Sequence, residues 1–231
     1  MNMKDITVII RTYNSAAFVK KAIDSALNQT LNKKFYEILV VDDGSADTTL
    51  DILKNNYGNE IKIIKQKHLG ASVATNNGIL KSRGQYIILL DSDDEFLPDI
   101  LKKMFSEFKK NNLIDFVYCD YFETLQPGSG QEKKKKVSLK NNIFKTIATA
   151  ILFKKKLFNE IGFYDKKFFF AEYDFLIKLI KSKKIGKHIP VPLYVYVRNK
   201  NSLTSNLNAV KTGIAQLKEK YGNIAEKIRK Y

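Results

Sequence analysis

Gly84-Gln85-Tyr86-Ile87-Ile88-Leu89-Leu90-Asp91-Ser92-Asp93-Asp94 decides the reading of this 231-residue chain. Residues 86–90 are continuously apolar, the pattern of a strand buried on both faces; a half-exposed strand would alternate. The run stops at Asp91, where three aspartates fall within four residues. Carboxylates two apart at the end of a buried strand can hold Mg2+ or Mn2+, and such an ion can neutralise a diphosphate. The competing reading is that residues 92–94 only cap the next helix.

The sequence upstream sets that strand in a series. Residues 6–10 are a second continuous apolar and β-branched run, followed by a helix in which Ser15 is a candidate cap and Phe18, Ala22, Ile23, Ala26 and Leu27 recur at helical spacing. Residues 37–41 form the next strand, broken by Asp42-Asp43-Gly44-Ser45. Asp47-Thr48-Thr49 opens a helix carrying Leu50, Ile52 and Leu53. A strand at 61–64 and a helix at 72–81 complete the first hundred residues. Strand alternating with helix through short joints predicts an α/β fold with a mostly parallel sheet and right-handed crossovers. Ligands of such sheets gather beyond the carboxyl ends of the strands, where Asp42, Asp43 and the 91–94 aspartates fall.

Downstream, Leu101, Met104, Phe105 and Phe108 mark a helix, 116–121 a strand, and 127–136 a loop ending in four lysines. Phe163, Tyr164, Phe168, Phe169, Phe170, Tyr173 and Phe175 cluster before and inside a helix at about 172–182. An alternating strand follows at 194–198. Residues 207–231 are a basic amphipathic helical segment, with Gly222 as a break.

Composition narrows the function. Forty Lys+Arg against 24 Asp+Glu gives a net charge of +16. That surplus favours polyanions: nucleic acid, an anionic membrane face, or phosphorylated substrates. The first strand-to-helix turn, Thr12-Tyr13-Asn14-Ser15, lacks glycine, which argues against a dinucleotide site and a phosphate-cradling loop. The single Cys119 excludes an internal disulfide, fits a reducing cytoplasm and reads as a packing residue. His68 and His188 have no metal-ligand spacing. The apolar runs at 6–10 and 147–153 are too short for a signal-peptide core or a membrane span, so the expected location is cytoplasmic, with any membrane contact peripheral at its inner face.

The ordered blocks Val8-Ile9-Ile10-Arg11-Thr12-Tyr13-Asn14, Val41-Asp42-Asp43-Gly44-Ser45, Gly70-Ala71-Ser72 with Asn76, and Leu90-Asp91-Ser92-Asp93-Asp94 resemble the family 2 glycosyltransferases of the GT-A fold. A looser likeness continues to Arg198 through Ala171-Glu172-Tyr173-Asp174. The resemblance implies a GT-A domain over residues 1–205, with 1–100 binding a nucleotide-diphospho-sugar and 101–205 the acceptor, followed by the basic segment 206–231. It implies donor contacts at Thr12, Tyr13, Asn14, Asp43, Asn76, Asp91 and Ser92. Tyr13 would border the base, and Asp43 would accept from the uracil N–H; the alternative makes Asp43 a turn former. Asp93 and Asp91 would hold Mn2+ or Mg2+, and Asp94 would help orient the site. Glu172 takes the place of the base that deprotonates the acceptor hydroxyl, with Asp174 as its alternative. Two departures stand out. Ala74-Thr75-Asn76 occupies a place where the family often has Ala-Arg-Asn, so a cation is missing. Val197-Arg198-Asn199-Lys200 lacks a histidine the family often carries.

The activity this implies is inverting transfer of a sugar from a nucleotide-diphospho-sugar, a UDP-sugar above all, to a hydroxyl of a glycan or lipid-linked glycan, in bacterial-type surface polysaccharide or glycolipid synthesis. The segment from 207 onward would dock on an anionic membrane surface; equally, it packs on its own domain or on a homodimer mate. Two other classes compete. A metal-dependent sugar nucleotidyltransferase would also use strand-end carboxylates, but begins with a glycine- and arginine-rich loop that residues 12–17 lack. A basic nucleic-acid-binding protein explains the charge, yet strand-end aspartates repel phosphate, so nucleic acid is not expected as a partner.

Overall fold

Alternation along β1 (Ile6–Thr12) sends Ile6, Val8 and Ile10 into one hydrophobic layer and Ile9 into a second. β2 (Tyr36–Asp42) and β4 (Tyr86–Asp91) flank it in parallel register, and β3 (Lys62–Lys65) pairs parallel with β2. α1 (Val19–Leu27), α2 (Thr49–Tyr57) and α4 (Ile100–Lys110) cover the first face. α3 (Ala71–Lys81), α5 (Lys156–Ile161) and α6 (Ala171–Lys181) cover the second. Burial on both faces is what the unbroken apolar runs demanded. The computed structural model describes residues 4–125, 132–137, 150–198 and 206–222.

Beyond β4 the sheet turns mixed. Its order is β3-β2-β1-β4, then β8 (Leu152–Lys154), β6 (Phe116–Thr124), β9 (Gly186–Val197) and β5 (Glu95–Phe96), with β7 (Lys133–Lys135) beside β6, nine strands among the described residues. β8 runs antiparallel to β4 and to β6, whereas β9 runs parallel to β6. The two-residue β5 closes the far edge against β9. The α/β class and the parallel first half stand as the sequence predicts.

Four local expectations change. Ser15 does not cap α1 with its side chain; its carbonyl accepts from Phe18 and Val19, and its hydroxyl donates to the Tyr13 carbonyl. Residues 92–94 cap no helix: β5 intervenes, and Asp94 is buried under β9. Lys133–Lys135 are not loop but β7, an edge strand antiparallel to β6, where Lys135 meets Glu123 at 3.0 Å. β9 starts at Gly186, eight residues before the expected 194, and runs through Pro190 and Pro192. Register shifts between Cys119 and Phe122 of β6 accommodate the prolines, which cannot donate to a ladder. The loop at 127–131 and the end of the basic segment at 223–231 lie outside the described residues.

The described part of that segment is α7 (Leu207–Tyr221), capped by Asn206, whose Oδ1 accepts from Asn208 and Ala209 at 3.1 Å each. It lies on α6. Leu217 is buried against Ile177, and a Cβ at Gly213 would come within 2.6 Å of the Phe170 ring. Gln216 accepts from the Phe169 amide and donates to the Lys167 carbonyl, both at 3.0 Å.

Candidate active site

Parallel register places the carboxyl ends of β1, β2, β3 and β4 together: Thr12 opposite Asp42, Asp42 opposite Lys65, and Arg11 opposite Asp91. Arg11 continues the face of β1 that carries Ile9, and so meets α3 and α6. Its Nε donates to Asp91 Oδ1 at 2.8 Å, and its Nη1 donates to Glu172 Oε1 at 2.6 Å and to Thr75 Oγ1 at 3.3 Å. Burial opposes the guanidinium's charge, but Asp91 and then Glu172 outweigh it and raise its pKa well above the ordinary arginine value. Glu172 occupies the first turn of α6, where the helix N-terminus favours an anion. Burial first, and then the Glu172 charge, push the neighbouring Tyr164 and Tyr173 hydroxyls up, so both stay protonated.

Asp174, the alternative base, faces a different task. It is fully buried; Lys178 Nζ lies 2.7 Å away, Lys220 donates to it at 2.8 Å and Tyr221 at 2.6 Å. Burial works against its ionisation, yet those hydrogen bonds hold its carboxyl below the ordinary value. Its oxygens anchor α7.

The aspartates of the rim also divide. Asp91 and Asp93 are half-buried, and Asp94 is 1% exposed. Asp94 accepts from the Val197 amide at 2.8 Å and from the Tyr194 hydroxyl, tying the rim to the end of β9. Burial, then the charges of Asp91 and Asp93, push the Asp94 carboxyl well up. Ser92 pairs with Ser15, hydroxyl to hydroxyl, at 2.9 Å. Among the described residues no group of three or more His, Cys, Asp or Glu side chains forms a metal cage. Two carboxylates two apart do suit an ion that completes its shell with substrate phosphates, as Mg2+ commonly does.

Asp43 meets the loop before α3. Its carboxylate accepts from the Leu69 and Gly70 amides at 2.9 Å each and from Gln66 Nε2 at 2.5 Å, while His68 Nδ1 lies 3.0 Å away. Gly44 permits that approach: its φ is +79°, and a Cβ there would stand 2.8 Å from the His68 amide. The His68 ring stacks on Tyr13 with centroids 3.9 Å apart and planes at 21°. Tyr13 is 44% exposed. Asn14, at φ +48°, accepts from the Ala46 amide at 2.8 Å. Asn76 makes a reciprocal pair with the backbone of Tyr164, donating at 2.8 Å and accepting at 3.1 Å. Thr12 is buried, its carbonyl accepting from the Asp43 amide and its Oγ1 lacking a partner among the described residues.

The fold thus gathers Thr12, Tyr13, Asn14, Asp43, Asp91, Ser92 and Asp93 at one end of the sheet and brings Glu172 to them through Arg11. Two residues escaped the sequence reading. Arg11 stands inside the Val8–Asn14 block, but no sequence signal assigns it a role. His68 carried no ligand spacing, and nothing local announces a stack on Tyr13. A cleft of about 410 Å³ also opens among Lys4, Lys33, Glu37, Glu60, Lys62 and Arg83, away from the rim. Its charges pair with one another, as in Arg83–Glu37 at 2.8 Å and Lys62–Glu37 at 3.1 Å.

Residues 7–162, more than half of the chain, match the family model described as Glycosyl transferase family 2. The chain is 37% identical over 115 residues to chondroitin synthase of Escherichia coli, covering 49% of this chain and 16% of that one. It is 33% identical over 146 residues to the poly(ribitol-phosphate) beta-N-acetylglucosaminyltransferase TarP of Staphylococcus aureus, covering 62% and 43%. The chain therefore spans well under two thirds of these relatives. Among solved structures, S. aureus TarS 1-349 in complex with UDP-GlcNAc superposes with a TM-score of 0.73 at 20% identity, covering 97% of this chain and 70% of that one. The mannosyltransferase PcManGT from Pyrobaculum calidifontis, in complex with GDP-Man and Mn2+, gives 0.70 at 16% identity, covering 93% and 64%. Both likenesses concern the fold.

Proposed function

The chain belongs to glycosyl transferase family 2, and from that premise we propose that it transfers a sugar from a UDP-sugar to a hydroxyl of a polysaccharide acceptor. The observation that carries the proposal is the meeting of Asp91 with Glu172 through one guanidinium, which sets a strand-end carboxylate rim beside a helix-borne carboxylate. These are the two parts that activated-sugar transfer needs: a place for the departing diphosphate and a proton acceptor for the attacking hydroxyl.

In this reading Asp93 and Asp91 would hold Mn2+ or Mg2+, which when bound would supply charge neutralisation for the leaving nucleoside diphosphate. Tyr13 offers a ring face to the base, and Asp43 accepts from the uracil N–H once His68 or Gln66 yields its place. Thr12, Asn14 and Asn76 hold the surrounding backbone, as their contacts with Asp43, Ala46 and Tyr164 favour, and Ser92 steadies the Ser15 hydroxyl. Glu172 accepts the proton of the acceptor hydroxyl. A single displacement on the face opposite the leaving group inverts the anomeric centre.

Relatives named for chondroitin and for poly(ribitol-phosphate) support a polysaccharide or polyol-phosphate acceptor. A net charge of +16 suits an anionic polymer or a lipid-linked, phosphate-bearing one. No helix among the described residues is long and apolar enough to cross a membrane. We place any membrane contact at an anionic cytoplasmic face and assign it to exposed α7 residues such as Lys211, because Leu217 and Tyr221 of that helix pack on α6.

The test is incubation with labelled UDP-GlcNAc and UDP-glucose plus Mn2+. Slow release of free sugar and UDP is expected without added acceptor. Pyrophosphate-dependent exchange into the nucleotide would assign the nucleotidyltransferase class instead.

A further inference from the structure

We propose that Arg11 is a positioning residue that holds the Glu172 carboxylate in register with the Asp91 rim. The inference rests on the glycosyltransferase reading above and deepens it. Thr75 is fully buried on α3 and brings no charge. Its hydroxyl instead accepts from Arg11 Nη1 at 3.3 Å. A guanidinium therefore reaches the neighbourhood of position 75 from a strand 64 residues earlier in the chain.

The fork geometry matters more than the charge. Nε and Nη1 are fixed in one plane and engage two carboxylates at once, Asp91 at 2.8 Å and Glu172 at 2.6 Å. Two half-buried carboxylates drawn together without a cation would repel, and Glu172 would turn from the rim. Lysine cannot reproduce this, since its ammonium is a single point charge.

The experiment compares wild type, Arg11→Lys, Arg11→Met and Arg11→Met/Thr75→Arg. It measures UDP affinity by calorimetry with Mn2+, and kcat and KM for UDP-GlcNAc hydrolysis. The proposal expects Arg11→Lys and Arg11→Met to bind UDP within about threefold of wild type while kcat falls at least tenfold and about a hundredfold respectively. Re-siting the guanidinium in the double variant should recover at least tenfold of the kcat lost by Arg11→Met. Unchanged kcat in Arg11→Met would overturn the proposal. So would a double variant that binds UDP normally without recovery. A thermal midpoint for Arg11→Lys near wild type separates positioning from general loss of structure, and if Arg11→Met does not fold, the kcat of Arg11→Lys decides alone. Absence of hydrolysis in wild type despite UDP binding would defeat the transferase reading; retained wild-type hydrolysis with an indifferent Arg11 would defeat only this inference.

Discussion

The Tyr221 hydroxyl donates to Asp174 Oδ1 at 2.6 Å, across 47 residues, and fastens the last described turn of α7 to the first turn of α6. Lys220 and Lys178 share the same carboxylate. Glu172 stands two residues away in that turn, so the clasp steadies the helix that carries the candidate base. Asp174→Ala should destabilise the protein by about 1–3 kcal/mol, the usual cost of orphaning buried partners. The pH dependence follows from its depressed folded-state pKa: the stabilisation is present above the ordinary aspartate value and is lost as pH falls through the folded value. Thermal midpoints from pH 6 down to pH 3 should fall more steeply in wild type than in Asp174→Asn.

Asp93 and Asp94 are neighbours with opposite assignments. Asp94→Ala leaves the Tyr194 hydroxyl and Val197 amide without their buried acceptor, at about 1–3 kcal/mol each. Asp93→Asn should lose the stabilisation that a UDP-sugar with Mn2+ confers. Urea titration of both variants, with and without ligand, checks the division.

Glu172→Gln keeps the shape of the side chain and removes its capacity to take a proton. UDP affinity should stay within about threefold, while sugar transfer or hydrolysis falls about 10²–10⁴-fold, the usual share of a general base. Calorimetry paired with product release measures the split, and full turnover in this variant would place the base elsewhere.

Cys119 is buried in β6, and burial pushes its thiol up to about 12. At pH 8 it should resist iodoacetamide in the native state and react promptly in denaturant. Mass spectrometry of the alkylated protein checks this, and supplies a probe of β6 opening for the other variants.

The first half of the fold was legible because β1, β2 and β4 are buried on both faces, and such strands leave unbroken apolar runs. Asp43, Asp91 and Asp93 were legible because each sits where a run ends. β9 was hidden by Pro190 and Pro192, which read as breakers until the register shifts in β6 absorb them. β7 was hidden by its lysines, which suit an exposed edge strand but look like a solvated loop. Arg11 could not be read at all as a site residue: its partners lie 64, 80 and 161 residues away, and only the parallel register of β1 with β4 and the return of α6 bring them together. The amphipathic stripe of α7 was visible, but periodicity does not say what a face packs on; around Gly213, Leu217 and Lys220 it is Phe170, Ile177 and Asp174, while Leu207 stays exposed.

The central claim is that the carboxyl ends of β1, β2 and β4 bind a uridine diphosphosugar together with a divalent ion. Calorimetric titration of UDP-GlcNAc into the wild-type protein, with Mn2+ and again with EDTA, tests it most directly. Saturable one-to-one binding that needs Mn2+ and disappears in Asp93→Asn is the predicted result; absence of binding to UDP and its sugar conjugates under both conditions, or binding indifferent to Asp93, would contradict it.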